Sequence, residues 1–330
     1  MNLRIISRDE ICRMAPMAQT VEIVKQAFAQ LSNGDAEVPV RTQLEIASHN
    51  GVALFMPAYL SKSDQLGIKV VSVFPHNVER GIPTINALVI VVDAETGRPT
   101  AVMDGTYLTA LRTGAASGAA TDLLARHEAR VAAILGAGVQ GRTQLEAVCE
   151  VRPIEKVWVF DIDRATAGAY VDEMRLRGGR IPTEIVVASS ATEAVRDADI
   201  ICTTTTSRSP VFDAADVRPG THINAVGAFT PDTQEIPDEI VGRALLFVDS
   251  REACWAEAGD LIIPRTRGLI SEPDIRAELG EVVAGTKQGR PNDRAITLFK
   301  SVGNAVQDVA VAAMVLRAAE QLGLGTEVEV

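Results

Sequence analysis

The N-terminal segment carries apolar residues at helical spacing. From Met17 onward they recur every three or four positions as far as Leu31, which predicts one buried helical face. Pro16 precedes this run, and proline removes a backbone N–H donor and clashes with the preceding helical turn. The pattern therefore predicts helical structure over residues 8–33, interrupted at Pro16.

Between residues 38 and 105 the pattern changes to short apolar runs separated by Gly, Pro and Asn. Such runs are typical of β-strands, and the segment from Glu95 to Pro99 has the composition of a hairpin turn. We therefore expect an antiparallel or mixed sheet. Its strands are predicted at Val52–Met56, Ile68–Phe74, Ala87–Asp93 and Thr100–Met103.

A small-residue helix over residues 106–127 leads into an alternation of strands and helices. Because parallel strands need a crossover connection, this alternation predicts a parallel sheet that is covered on both faces. Helices are expected up to about Val148, around 164–177 and at 191–197. The six predicted strands are Val131–Leu135, Val157–Phe160, Glu184–Val187, Ile200–Thr204, Ile223–Val226 and Leu245–Val248.

The predicted fold class is therefore α/β, with a Rossmann-type doubly wound parallel sheet domain and an α+β N-terminal domain. We place the Rossmann domain at residues 118–304 and the other domain at residues 1–117 with 305–330. The last segment is assigned to the first domain because a helical apolar face begins at Ala305, after the six predicted strands have completed the parallel sheet.

A glycine motif follows the first strand of the alternating region. Gly136, Gly138 and Gly141 form G-x-G-x-x-G, with Val139 and Gln140 between the last two glycines. The first glycine permits a tight turn, the second lets a pyrophosphate approach the backbone, and the third lets the helix pack on the strand. The motif therefore predicts dinucleotide binding and a nicotinamide-dependent oxidoreductase.

The next predicted strand is followed by an acid, Asp161, twenty residues after Gly141. A carboxylate there can accept hydrogen bonds from the ribose hydroxyls of NAD and would repel the 2′-phosphate of NADP. NAD(H) is the expected cofactor, with NADP(H) as the alternative because Arg164 could meet a phosphate. Thr203 and Thr204, at the carboxyl end of a strand, fit the same crevice.

The net charge of −11 does not favour binding to nucleic acid or to an anionic membrane, because both are negatively charged. Local cations would have to bind an anionic substrate, and Arg41, Lys69 and Arg112 each lie in a mainly apolar stretch. Guanidinium groups hold carboxylates through paired hydrogen bonds, and burial moves the pKa of a lysine towards acid–base use. Ordinary surface or ion-pair positions are the alternative for all three.

The four cysteines form no close pair and no metal-ligand spacing, so no metal site is expected. The N-terminal residues lack the pattern of a signal peptide, and no apolar stretch is long enough for a membrane span. These features predict a cytoplasmic protein.

Several segments resemble the ornithine cyclodeaminase/μ-crystallin family, in the right order and over nearly the whole chain. They are Gly67–Val70, Met103–Ala115, Ile134–Gly141, Asn224–Ala228 and Phe299–Gly303. The resemblance implies that the N-terminal domain builds a homodimer interface and part of the substrate site, and that the C-terminal helix returns to it.

The resemblance also assigns residues. Arg41, Lys69 and Arg112 would contact the substrate, with Lys69 as the catalytic residue and Arg112 also near the cofactor. Thr113 would lie close to the pyrophosphate, and the segment 300–303 beside the nicotinamide. The other expected cofactor residues are Val226, Lys300 and Gly303. The role of Asp308, which follows them, stays open.

Members of this family share hydride chemistry but differ in substrate. Cyclodeaminases resemble one another in an aspartate two residues after the glycine that matches Gly227, and in a glutamate near the Met-Pro pair. This chain has Phe229 and Leu54 at those positions, and neither side chain can activate the second amine of a diamine. The resemblance therefore favours a small cyclic imino acid, with Phe229 as an apolar wall of the site.

The expected reaction is reduction of Δ1-pyrroline-2-carboxylate or Δ1-piperideine-2-carboxylate to the amino acid. Three alternatives stay open. The first is an alanine-dehydrogenase-like enzyme in which Lys69 assists amine addition to a 2-oxo acid. The others are an ornithine cyclodeaminase and a cofactor-holding binding protein with little turnover.

Overall fold

The computed structural model describes residues 2–330, and the chain divides into two compact units. The first unit comprises Met1–Arg112 and Asn304–Val330, and the second comprises Thr113–Gly303. No helix within residues 2–330 is both long and apolar enough to cross a membrane.

The first unit is built on a mixed eight-stranded sheet. Its strands are β1 Asn2–Ile6, β2 Ala36–Glu37, β3 Thr42–Ile46, β4 Gly51–Leu60, β5 Gln65–Val73, β6 Ile85–Val92, β7 Pro99–Asp104 and β16 Thr326–Glu329. Its helices are α1 Arg8–Met14, α2 Met17–Ser32 and α11 Ala305–Leu322, and α3 Gly105–Leu124 begins there and ends in the second unit.

The strand order in this sheet is β16-β1-β7-β6-β5-β4-β2, with β3 beside β4. The β1–β7 pair is parallel, whereas β4, β5, β6 and β7 pair antiparallel in sequence order. The predicted mixed sheet is confirmed, and the helical break falls at Pro16, which is the N-cap of α2. The short strands β1, β2, β3 and β16 were not predicted, because two to five residues carry too little periodicity.

Helix α11 packs against β4, β5 and α2 of the first unit. A Cβ at Gly67 on β5 would lie 3.3 Å from a methyl carbon of Val309, so the glycine lets helix and strand approach closely. The shared core consists of Ala27, Met56, Ala58, Leu60, Val71, Ala305, Val306, Val309 and Ala310.

The opposite face of this sheet is apolar but not buried. Side chains alternate across a strand, so the neighbours of inward-facing Lys69 on β5 point to this other face. Its members are half-exposed or exposed: Phe55, Ile68, Val70, Leu88 and Ile90. A contiguous apolar face of this kind is typical of an interaction surface.

The second unit contains an all-parallel eight-stranded sheet. Its strands are β8 Val131–Leu135, β9 Lys156–Phe160, β10 Glu184–Val187, β11 Ile200–Thr203, β12 His222–Ala225, β13 Leu245–Val248, β14 Ile275–Glu278 and β15 Thr297–Lys300. Its helices are α4 Val139–Val151, α5 Arg164–Arg177, α6 Ala191–Arg196, α7 Asp238–Arg243, α8 Arg251–Glu257, α9 Gly259–Thr266 and α10 Leu279–Val283.

The strand order is β10-β9-β8-β11-β12-β15-β13-β14, so the predicted Rossmann-type sheet is confirmed. The prediction that six strands complete it was wrong, because β14 and β15 were missed. Strand β15 is completely buried between β12 and β13, yet it has four residues and ends in Lys300. Because a charged residue is unusual in a central strand, the sequence pattern did not identify this segment as a strand.

Candidate active site

Lys69 lies on the face of β5 that α11 covers. Its partners in register are Met56 on β4 and Val89 on β6, and its side chain is 2% exposed. The Nζ atom lies 2.8 Å from Oδ2 of Asp308 on α11. A buried ammonium is costly unless it is paired, and Asp308 provides that partner.

The carboxylate of Asp308 also binds the second predicted cation. Nε of Arg112 donates to Oδ1 of Asp308 at 2.9 Å, and its Nη1 donates to Oε1 of Gln307. Arg112 is almost completely buried, and Asp308 and Gln307 are fully buried. Lys69 and Arg112 are therefore not surface residues, and the structure brings them together around one carboxylate.

The surroundings of Lys69 together lower its pKa from the ordinary 10.5 to about 8, with burial as the largest cause and the positive charge of Arg112 acting in the same direction. Asp308 acts in the opposite direction and raises it, whereas Arg41 makes a smaller lowering contribution. Arg41 is half-buried before β3, so all three predicted cations contribute to one electrostatic environment. A lysine that titrates near neutral pH can both donate and accept a proton.

In the second unit, the glycine motif forms the predicted turn between β8 and α4. Gly136 has a φ of +99°, and a Cβ there would lie 2.8 Å from Oγ1 of Thr204. A Cβ at Gly141 would lie 2.4 Å from the carbonyl oxygen of Gly136, whereas one at Gly138 would meet no protein atom within 4 Å. The first and third glycines serve packing, and Gly138 faces open space at the helix N-terminus.

A cavity of about 560 Å³ adjoins this turn. Its lining includes Gly136, Gly138, Asp161 and Thr204. The carboxylate of Asp161 accepts hydrogen bonds from the N–H groups of Ala137 at 2.8 Å and Asp163 at 2.9 Å. Open space beside Gly138, a helix N-terminus and an acid at a strand end together fit a dinucleotide.

The two predicted threonines differ in their surroundings. Thr204 lines the cavity, and its hydroxyl donates to the carbonyl oxygen of Gly136 at 2.7 Å. Thr203 is fully buried, and its hydroxyl donates to Oε2 of Glu235 at 2.9 Å. The side chain of Thr203 therefore supports the edge of the sheet from within.

Glu235 was not identified from the sequence. It is fully buried and accepts hydrogen bonds from the backbone N–H groups of Thr205, Gly227 and Ala228 at 2.6–3.1 Å. Burial and the nearby Asp260 raise its pKa, whereas the positive charge of Lys300 and the hydrogen bonds from Thr205 act in the other direction by favouring the charged form. Glu235 thereby joins the loops that follow β11 and β12, next to the buried Val226.

The segment after β15 is held by two further buried acids. Nζ of Lys300 lies 2.8 Å from Oδ2 of Asp260, and both side chains are fully buried. Asp249 accepts hydrogen bonds from the N–H groups of Val302 at 3.0 Å and Gly303 at 2.8 Å. The Lys300 ammonium thus serves the core of the second unit, and contact between this segment and a cofactor would be made by backbone atoms.

The remaining predicted residues are placed as follows. Thr113 is buried, and its carbonyl oxygen accepts from Nε2 of Gln144 at 3.2 Å. Val139 is exposed at the start of α4, and Oε1 of Gln140 is buried without a hydrogen-bond partner among residues 2–330. Phe229 is 41% exposed, in the loop that Glu235 holds.

One sequence signal could have identified Asp249. It directly follows the buried strand β13, as Asp161 follows β9, and polar side chains at the carboxyl ends of parallel strands are frequent site residues. Glu235 lies in an irregular segment, and no periodicity distinguishes it.

We predict that Gly138→Ala weakens NADH binding by about tenfold or more without lowering stability, because its Cβ would occupy the space of the pyrophosphate. Gly141→Ala is the matched comparison and should lower the unfolding midpoint, since its Cβ collides with the Gly136 carbonyl. Isothermal titration with NADH and urea unfolding measure the two effects. Wild-type NADH affinity in Gly138→Ala would contradict the placement of the pyrophosphate.

Comparison with known proteins agrees with this geometry. The model of the ornithine cyclodeaminase/mu-crystallin family matches residues 2–322. A Δ1-pyrroline-2-carboxylate reductase of Bacillus cereus is 40% identical over 326 residues, which cover 98% of this chain and 99% of that protein.

Two solved structures are similar over their full length. The Δ1-pyrroline-2-carboxylate reductase of Thermococcus litoralis, in complex with NADH and L-proline, has a TM-score of 0.95 and 46% identity, covering 98% of this chain and 100% of the other. An archaeal alanine dehydrogenase dimer with bound NAD has a TM-score of 0.92 and 39% identity, covering 100% and 99%. The predicted resemblance is confirmed, and the chain belongs to the ornithine cyclodeaminase/mu-crystallin family.

Proposed function

We propose that this protein is an NADH-dependent reductase that converts Δ1-pyrroline-2-carboxylate to proline. The observation that carries the proposal is the buried cluster of Lys69, Arg112 and Asp308, in a chain that matches reductases of this substrate over its full length. The enzyme class is an oxidoreductase that acts on C=N and CH–NH bonds.

The first unit supplies the binding site for the substrate carboxylate. Lys69 and Arg112 carry two positive charges around the single carboxylate of Asp308, and this cluster lies within an acidic chain. Nε2 of Gln307 is fully buried and has no acceptor among residues 2–330. An oxygen atom of the substrate would satisfy this donor, because buried polar groups are otherwise rarely left unpaired.

The second unit holds the cofactor. Gly136, Gly138 and Gly141 shape the turn for the pyrophosphate, and Asp161 binds the adenosine ribose and favours NADH over NADPH. Thr113, Val139, Gln140, Thr204, Val226 and the backbone of the segment 300–303 complete the proposed cofactor contacts. The bound dihydronicotinamide supplies the hydride that the imine carbon accepts.

Lys69 supplies the proton. As the imine carbon gains hydride, the nitrogen takes a proton from the Lys69 ammonium, which leaves a neutral lysine and a secondary amine. Water then returns a proton to Lys69. The guanidinium groups keep the carboxylate fixed, so that positioning contributes much of the rate. Phe229 contributes an apolar wall where a cyclodeaminase needs an acid.

The chain acts as a homodimer in this proposal, with the open apolar face of the first unit's sheet as the interface. The similar alanine dehydrogenase is a dimer, and the exposed Leu88 lies on this face. The buried cysteines Cys149, Cys202 and Cys254 are free thiols, which supports a reducing, cytoplasmic setting.

The substrate is tested by following oxidation of NADH and NADPH with Δ1-pyrroline-2-carboxylate and Δ1-piperideine-2-carboxylate. We expect rapid turnover of the pyrroline with NADH. Pyruvate with ammonium tests the second candidate, an alanine dehydrogenase, which the similar archaeal enzyme favours. Faster turnover of pyruvate than of either imine would overturn the proposal, and ammonia release from ornithine would indicate a cyclodeaminase.

The role of Lys69 predicts opposite pH profiles for the two directions. Lys69 is charged below a pKa of about 8, so kcat/KM for reduction should be constant below that pH and fall about tenfold per unit above it. Oxidation of L-proline needs neutral Lys69 and should rise with pH and level off above about 8.

Lys69→Arg keeps the charge but cannot release its proton at these pH values. We expect it to reduce kcat for imine reduction by about 100-fold or more. If the fall of kcat/KM above about pH 8 persists unchanged in Lys69→Arg, that fall reports titration of the substrate. Wild-type rates in this variant would contradict proton donation by Lys69.

The dimer interface is tested by Leu88→Asp, which places a charge on the open face of the sheet. Sedimentation should show a monomer, because a buried unpaired charge is too costly for an interface. Leu176→Asp on α5 is the matched control, since Leu176 is 88% exposed in the second unit. If Leu88→Asp remains dimeric, the interface lies elsewhere.

A further inference from the structure

Asp308 is a fully buried acid whose two oxygens bind two different cations. Oδ2 lies 2.8 Å from Nζ of Lys69, and Oδ1 accepts from Nε of Arg112 at 2.9 Å. These cations come from β5 and α3, whereas Asp308 lies near the start of α11. The N-cap Asn304, whose side chain accepts from the N–H of Val306, fixes where that helix begins. The acid is thus held rigidly between the two cations.

The charged groups around Lys69 come from three elements. Arg112 on α3 and Arg41 before β3 are positive, and Asp308 on α11 is negative. The register neighbours Met56 and Val89, on the adjacent strands, are apolar. Burial and both arginines therefore favour neutral Lys69, and Asp308 opposes them.

We propose that Asp308 is a positioning residue of the reductase: it fixes the Lys69 ammonium beside Arg112 and keeps it charged for proton delivery to the imine nitrogen. This inference rests on the proposed function. After the proton leaves Lys69, the Asp308 carboxylate accepts a hydrogen bond from the neutral amine and favours its reprotonation by water. Arg112 keeps its contact with the Asp308 carboxylate in this proposal.

The test is Asp308→Asn, which keeps the shape of the side chain and removes its charge. Without the negative neighbour, Lys69 should lose its proton at a lower pH. We expect the alkaline limb of kcat/KM for imine reduction to move down by one pH unit or more. At pH 8 the variant should then be about tenfold or more below its own low-pH plateau.

Gln307→Met is the matched control. Gln307 is equally buried, precedes Asp308 and also binds Arg112, but its loss removes no charge. This variant should weaken substrate binding and leave the alkaline limb in place. If Asp308→Asn lowers the rate equally at every pH, Asp308 has only a structural role and the inference is wrong.

A second measurement does not depend on turnover. The pKa of Lys69 in the folded protein, about 8, is below its ordinary value of 10.5. The unfolded chain therefore binds more protons between these values, and the free energy of unfolding should rise with pH from about 8 upward. In Asp308→Asn this rise should begin at a lower pH, and it should vanish when Lys69→Met is added.

The two measurements separate the two proposals. If the wild-type protein reduces no imine while the onset of the stability rise shifts in Asp308→Asn, the proposed substrate is wrong and the control of Lys69 by Asp308 stands. The other outcome is that the wild type reduces the imine, but Asp308→Asn shifts neither the alkaline limb of kcat/KM nor the pH at which the free energy of unfolding begins to rise. That result would overturn the proposed role of Asp308.

Discussion

Lys69 and Arg112 bury two positive charges close together, and the Asp308 carboxylate makes that arrangement stable. Removing such charges from water costs several kcal/mol for each ion unless partners compensate. The partner lies 196 residues after Arg112, and the whole second unit lies between them in the sequence. The glycine at position 67 and the apolar face of α11 serve this return by letting the helix lie close to β5. The packing of α11 on the sheet thus both buries apolar surface and brings Asp308 to the two cations.

In the second unit, buried or half-buried acids hold the segments that follow the strands. Asp161, Glu235 and Asp249 each accept backbone N–H groups from irregular segments. The backbone N–H groups of a loop at this edge have few partners in neighbouring strands. A carboxylate that accepts several of these N–H groups holds the loop in place although the loop is neither helix nor strand. Ligands of open parallel sheets bind at this edge. Loops that are already held in this way would need little further ordering when the proposed cofactor binds.

Features formed by residues close together in the sequence were predicted, whereas features formed by residues far apart in the sequence were missed. The helical break at Pro16 and the turn at Gly136 are local, since proline and glycine act through their own backbone, and both were predicted. Strand β15 was missed because Lys300 is acceptable in a buried strand only when Asp260 pairs with it. Asp260 is 40 positions away, and no local pattern reports that pairing.

The sequence by itself determined the two kinds of sheet, the glycine turn and three candidate substrate-binding cations. It could do so because periodicity, glycine geometry and residue type are local properties. It left the cations as candidates with an ordinary alternative. Only the tertiary structure decided that Lys69 and Arg112 share one buried carboxylate, that Glu235 joins two loops, and that Thr203 is an internal support. These features depend on burial and on distances between residues far apart in the chain, and the cost of a buried charge or the pKa of Lys69 exists only once those distances are set.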